Sequence, residues 1–291
     1  MGKFRVSMSP PNERRMPMQT SIRVIATGAM LLTAWVAAVA PGAADDPPND
    51  APNADAAMAS PAMEQLMRMA DFLSQLGQFS VTLQSGYDVV QESGQKIEFG
   101  ERRELVLVRP DRLQVDVERS DGQASRVIFD GESIGVFDAT RNMYASSPMQ
   151  GDIDASIRHF VKDLNMRLPL AMLFVTTLPE ELEERVQQTA IVDTSMLDSK
   201  PFVHLAARTD GVDFQVWIPE SGDPLPRRIV LTYKDEEGQP QYWANFSDWN
   251  LSPGPLATLM SFDVPDDATR IPFLAEIPAS AMPSAATGEA K

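Results

Sequence analysis

Residues 105–144 read LVLVRPDRLQVDVERSDGQASRVIFDGESIGVFDATRNMY, and this stretch decides the fold. Leu105 and Leu107 end an alternating run that Arg109-Pro110-Asp111 breaks, and Leu113, Val115 and Val117 resume the alternation. Apolar residues at every second position put one face of a strand in a core and the other in water. Asp121-Gly122 and Asp130-Gly131 punctuate further runs at 124–130 and 133–138, and Asp138 to Asn142 leads into a short strand at Met143-Tyr144. Asp-Gly between alternating runs marks a hairpin, because glycine takes positive φ at little cost. The stretch is an antiparallel meander.

The pattern continues outward. Upstream, Phe79, Val81, Leu83, Ser85, Tyr87 and Val89 alternate, Glu92 to Gln95 turn the chain, and 96–108 alternates through Ile97, Phe99, Leu105 and Leu107. Before them, 62–76 spaces Met63, Leu66, Met67, Ala70, Leu73 and Leu76 by three and four, which lines one face of a helix ending at Gly77. Downstream, Ile153, Ile157, Phe160, Val161 and Leu164 predict an amphipathic helix capped by Asp152. Pro169 is expected to open a second helix through Val175, and Pro179 a third with Glu180, Glu181, Glu183 and Glu184 at its positive end. Strands are expected again at about 190–197, 202–208, 213–218, 227–233, 241–249 and 259–264. A sheet of about a dozen strands must curl or be covered, and these helices can cover one face.

The chain ends differ from this middle. Lys3, Arg5, Arg14, Arg15 and Arg23 precede the uncharged run Val24 to Ala40, and Gly42-Ala43-Ala44 offers a small-residue cleavage site. Residues 1–44 therefore read as a secretory signal peptide, with an uncleaved N-terminal anchor as the alternative reading. Residues 45–61 form a Pro/Ala/Asp linker, 62–277 the folded domain, and 278–291 a disordered tail. The formal net charge is -16. Removing 1–44 takes away five basic residues and one acidic, leaving 20 basic against 40 acidic. Such a chain is not a general nucleic-acid binder, which needs a basic surface, and anionic membrane surfaces repel it. No membrane span is expected in the mature form. The sequence holds no cysteine, which excludes disulfides, thiolate metal sites and a cysteine-linked lipid anchor.

Motifs with chemical meaning are few. Gly131-Glu132-Ser133-Ile134-Gly135 matches the spacing of a nucleophile elbow, but Val136-Phe137-Asp138 continues as strand where that motif needs a helix. Ser133 is read as part of a hairpin turn, not a catalytic residue. His159 falls beside the apolar face of its helix and His204 inside a strand, neither with a partner that sequence supplies. The acidic run 180–184 lacks the alternating ligand loop of a calcium site. Asn245-Phe246-Ser247 is a glycosylation sequon, without meaning in a host that does not glycosylate. Met63, Met67, Met69, Met166 and Met172 lie on expected helices, where unbranched thioethers fill cores or adapt to apolar ligands. No cofactor and no metal are expected, and the protein is not read as an enzyme.

The stretch 105–144 resembles the periplasmic lipoprotein-carrier superfamily, LolA-like with LolB-like and LppX-like relatives. Its members have a strand ending in Lys/Arg-Pro, an Asp-Gly hairpin and a following aromatic-Asp turn. Pro226 to Tyr233, Trp243 to Trp249 and Ser261-Phe262-Asp263-Val264-Pro265 agree with the carriers' C-terminal part. More closely, about 62–275 looks like a family of predicted periplasmic proteins placed near that superfamily. The resemblance implies an α+β fold, a curled antiparallel half-barrel sheet of about 11–12 strands with helices lidding its concave face. It implies a periplasmic location and a soluble lipid- or lipoprotein-binding carrier that holds acyl chains in an apolar cavity. The alternative on the same fold is an envelope sensor or protein-interaction module with an envelope protein as partner. No functional residue is carried over from the carriers. The alternating pattern and helix stripes suggest Val81, Leu83, Leu105, Leu107, Ile157, Phe160, Ile229 and Leu231 as the cavity lining. The helices at 62–76 and 152–175 are expected to cover this face and to be able to move away from it.

Overall fold

The computed structural model describes residues 60–164, 166, 169–197, 199–254, 262, 264–273 and 275. The expected leader at 1–44, the linker up to residue 59, the tail 278–291 and most of the strand expected at 259–264 lie outside these residues. Among the described residues twelve strands form one sheet: β1 (Gln78–Val90), β2 (Lys96–Val108), β3 (Arg112–Arg119), β4 (Ala124–Phe129), β5 (Ser133–Asp138), β6 (Met143–Pro148), β7 (Gln188–Leu197), β8 (Lys200–Arg208), β9 (Val212–Pro219), β10 (Arg228–Tyr233), β11 (Gln241–Asn250) and β12 (Thr269–Arg270). Their order is β12-β6-β5-β4-β3-β2-β1-β11-β10-β9-β8-β7. Two meanders, β1 to β6 and β7 to β11, meet where β1 pairs antiparallel with β11. The sheet is antiparallel apart from the short β12–β6 pair, and the whole is the α+β, open and curled arrangement expected.

Alternation decides which face each side chain takes. Phe79, Val81 and Leu83 on β1 share a face with Leu105 and Leu107 on β2 and with Leu113 and Val115 on β3, and all are buried. Across the β1–β11 junction the same face continues through Tyr242, Ala244 and Phe246, then Ile229, Val216 and Leu205. Helical elements cover this concave face. Helix α1 (Pro61–Gln75) buries Met63, Leu66, Met69, Ala70 and Leu73. It begins one residue before the expected boundary because Ser60 caps it, accepting from the Met63 N–H at 3.1 Å, and Pro61 suits the first turn.

The insertion between the meanders departs from the first two of its three expected helices. Helix α2 (Ile153–Arg158) starts at its Asp152 cap as expected, then widens into a π-turn (His159–Asp163) in which the Leu164 N–H reaches His159 O. Phe160 and Leu164 stay buried while Val161 is 39% exposed, so the wider turn leaves Val161 off the apolar stripe. Instead of a helix after Pro169, a 3₁₀ turn (Ala171–Phe174) follows Leu170, whose φ is 66°. Helix α3 (Leu178–Arg185) carries proline in its first turn and ends before β7.

Candidate functional site

Between the helical layer and strands β9 and β10 lies a cleft of about 340 Å³. Leu66 and Met69 of α1, Met172 and Leu173 of the 3₁₀ turn, and Leu178 and Leu182 of α3 form one wall. Val212, Phe214, Val216, Ile229, Leu231 and Tyr233 form the other. Each strand residue is there because period two points it inward. Met172 is 38% exposed at the mouth, so the cleft opens to solvent. Glu181 and Arg185, an ion pair four residues apart on α3, stand at its rim. Apolar walls with charges confined to the edge suit a hydrocarbon ligand. A second hollow of about 400 Å³ on the opposite face is lined by Arg102, Glu104, Asp116, Val117, Arg126 and Phe137. Arg102 pairs with Glu104 and Arg126 with Asp116 there, so ions stand in its wall beside Val117 and Phe137, where the cleft under the helices keeps its charges at the edge.

The eight side chains suggested from sequence fall in three places. Ile229 and Leu231 line the cleft. Leu83, Leu105 and Ile157 border a separate void of only about 20 Å³. Val81, Leu107 and Phe160 are packed in the core away from either space. Of the methionines singled out, Met69 and Met172 reach the cleft, whereas Met63 is core.

A cation just past β2 helps to fasten the helical layer to the sheet. Arg109, at the end of β2, donates from Nε to Leu76 O at 3.0 Å and from Nη2 to Phe174 O at 2.9 Å. Its Nη1 lies 3.5 Å from Asp154 Oδ1 on α2. Asp154 also accepts from the Thr176 N–H at 2.9 Å and from the Thr176 hydroxyl. Burial lowers the Arg109 pKa, with Asp154 and Asp152 opposing that shift.

Ser133 opens β5, and its N–H and hydroxyl both turn to Asp130, at 2.8 and 3.4 Å. A strand follows it, as expected, so the nucleophile-elbow geometry is not formed there. His159 engages Asp163 at 2.8 Å and Ser147 at 3.4 Å. His204 stacks on Trp217 with centroids 4.0 Å apart and meets Gln215 Oε1 at 3.0 Å. The sequence reading missed the inward-facing pair Glu101 and Arg103. Its signal was parity, since both share the odd register of Leu105 and Leu107.

A family described as "Predicted periplasmic protein (DUF2092)" matches residues 62–274. No curated protein matches the chain. Among solved structures, an uncharacterized conserved protein from Thermus thermophilus is similar at 13% identity and a TM-score of 0.43, over 73% of this chain and 99% of that one. The lipoprotein LppX of Mycobacterium tuberculosis is similar at 13% identity and 0.40, over 66% and 96%. A LolA superfamily protein from Nitrosomonas europaea is similar at 12% identity and 0.35, over 70% and 98%. Among the described residues no helix is long and apolar enough to cross a membrane.

Proposed function

Because the chain belongs to the DUF2092 family of predicted periplasmic proteins, we propose that it is a periplasmic binder of acyl chains, taking up hydrocarbon in the cleft under its helical layer. The observation that carries this reading is the cleft itself, apolar on both walls and open at Met172. Each methylene withdrawn from water contributes about 0.8 kcal/mol, so an acyl chain crosses an aqueous compartment only when covered. A curled sheet with a helical cover supplies that shelter without catalytic groups.

The test is binding of a fluorescent fatty-acyl probe to the purified protein, with Leu231→Trp as the blocked form. Leu231 is only partly buried at the cleft wall, so the indole fills free space. The substitution should abolish most probe binding while costing under about 1 kcal/mol; in a filled core it would overpack by about 1–3 kcal/mol. No binding to the wild type overturns the reading.

One observation favours a second reading, an interaction module. Among the described residues strand β7 pairs only with β8, and Ile191, Val192 and Met196 on it are 47%, 53% and 64% exposed. An exposed apolar edge can add an extended segment of a partner protein as a further strand.

A further inference from the structure

The concave face carries a polar island that the cleft leaves unexplained. Glu101 and Arg103 point inward from β2, with the Arg103 Nη2 to Glu101 Oε1 distance 2.6 Å and side chains 5% and 10% exposed. The Ser85 hydroxyl turns to Glu101 Oε1 at 3.4 Å. The Arg103 guanidinium carbon lies 5.9 Å from the centre of the Tyr242 ring. Burial raises the Tyr242 pKa, so its hydroxyl keeps its proton and remains a donor. Arg103 Nε is buried with no hydrogen-bond partner among the described residues, and the buried Tyr242 hydroxyl makes no bond of normal geometry, although it faces Ser85 closely enough for that side chain to oppose its raised pKa. A buried donor without an acceptor is costly, and a ligand that brings an acceptor recovers that cost.

The island borders the small void through Arg103, while Glu101 and Tyr242 lie behind the linings of both spaces. Pro169 lines both the cleft and the small void, and Arg103 lines the void and donates from Nη1 to Pro169 O at 3.5 Å. Tyr242 is the cross-strand neighbour of Leu231, which lines the cleft. Charge then selects the chemistry. Arg103 is already balanced by Glu101, so the island offers donors without spare positive charge. A carboxylate placed here would also face Glu101, whereas a neutral carbonyl oxygen would not.

We propose that Arg103 Nε and the Tyr242 hydroxyl donate to the carbonyl oxygen of an acyl ester or amide whose hydrocarbon chain lies in the cleft. This rests on the acyl-binding reading and adds to it a preference for acylated molecules over free fatty acids. The test is displacement of a bound naphthylamine fluorophore by methyl laurate, N-methyl lauramide, lauric acid and dodecane at neutral pH. The ester stands for ester-linked chains and the amide for an N-acylated polypeptide, and the tighter of the two identifies the source. Both should outcompete lauric acid by about tenfold, and Tyr242→Phe should weaken the carbonyl probes about fivefold while leaving dodecane unchanged.

The double substitution Glu101→Leu with Arg103→Met should act in the same direction, because removing the ions together strands neither. Lauric acid binding as tightly as its ester, or an unchanged ester affinity in Tyr242→Phe, overturns the proposal. If dodecane still binds in that case, the acyl-binding reading survives; if no probe binds the wild type, both fail.

Discussion

Replacing Arg109 with methionine should loosen the helical layer before it unfolds the sheet. The side chain holds three helical elements at once: Leu76 at the end of α1, Phe174 at the end of the 3₁₀ turn and Asp154 in α2. Methionine keeps the apolar stem and removes all three contacts. Each charge-assisted hydrogen bond contributes about 1.5–3 kcal/mol, and Asp154, 8% exposed, is left with Thr176 alone. Stranding one partner of a buried pair costs about 3–5 kcal/mol, which bounds the total. For a domain of this size 1 kcal/mol moves Tm by about 2–4 °C, so Tm should fall by roughly 6–20 °C. Urea unfolding gives the global cost, and native-state hydrogen exchange locates it. The amide of Thr176 and those of α2 should exchange faster, with the β1 and β11 amides little changed relative to the global loss. A cost under about 1 kcal/mol, or acceleration spread evenly through the strands, would refute the clasp.

Gly86→Ala should cost about 1–3 kcal/mol, because its Cβ would come within 2.7 Å of the Trp243 indole. Tryptophan emission should shift to the red as Trp243 leaves Glu98, to which its Nε1 donates at 3.0 Å. Tyr242 gives a pH dependence whose sign is fixed. Its folded pKa is raised above the ordinary value of 10.0 by burial, so above about pH 10 the unfolded chain loses a proton that the folded chain keeps. Stability should therefore fall as pH rises from there, and Tyr242→Phe should flatten that part of the urea-midpoint profile.

The strands were legible because alternation and Asp-Gly turns are local signals. Arg109-Pro110-Asp111, for instance, ends β2 and starts β3 as read. The β1–β11 junction was not legible, because pairing between residues 78–90 and 241–250 leaves no mark on either run alone. The insertion misled for a related reason. Its apolar spacing fits an α-helix, but packing sets the π-turn at His159–Asp163 and the positive φ of Leu170. The site was half visible. Parity assigns a residue to a face but not to the part of that face the helices leave uncovered. Ile229 and Leu231 therefore reached the cleft while Val81 and Leu107 went into solid core. Arg103 carried the right parity and was passed over, because a charge on an apolar face runs against the alternation that defines the face. His204 was read as an ordinary sheet residue; it stacks on Trp217, which is opposite it in register on β9.

Native mass spectrometry of the protein taken from its own periplasm tests the central claim most directly. A population heavier than the bare chain by the mass of an acylated molecule is expected, and Leu231→Trp should lose it. A single bare mass under gentle ionisation, from protein that also binds no acyl probe, would contradict it.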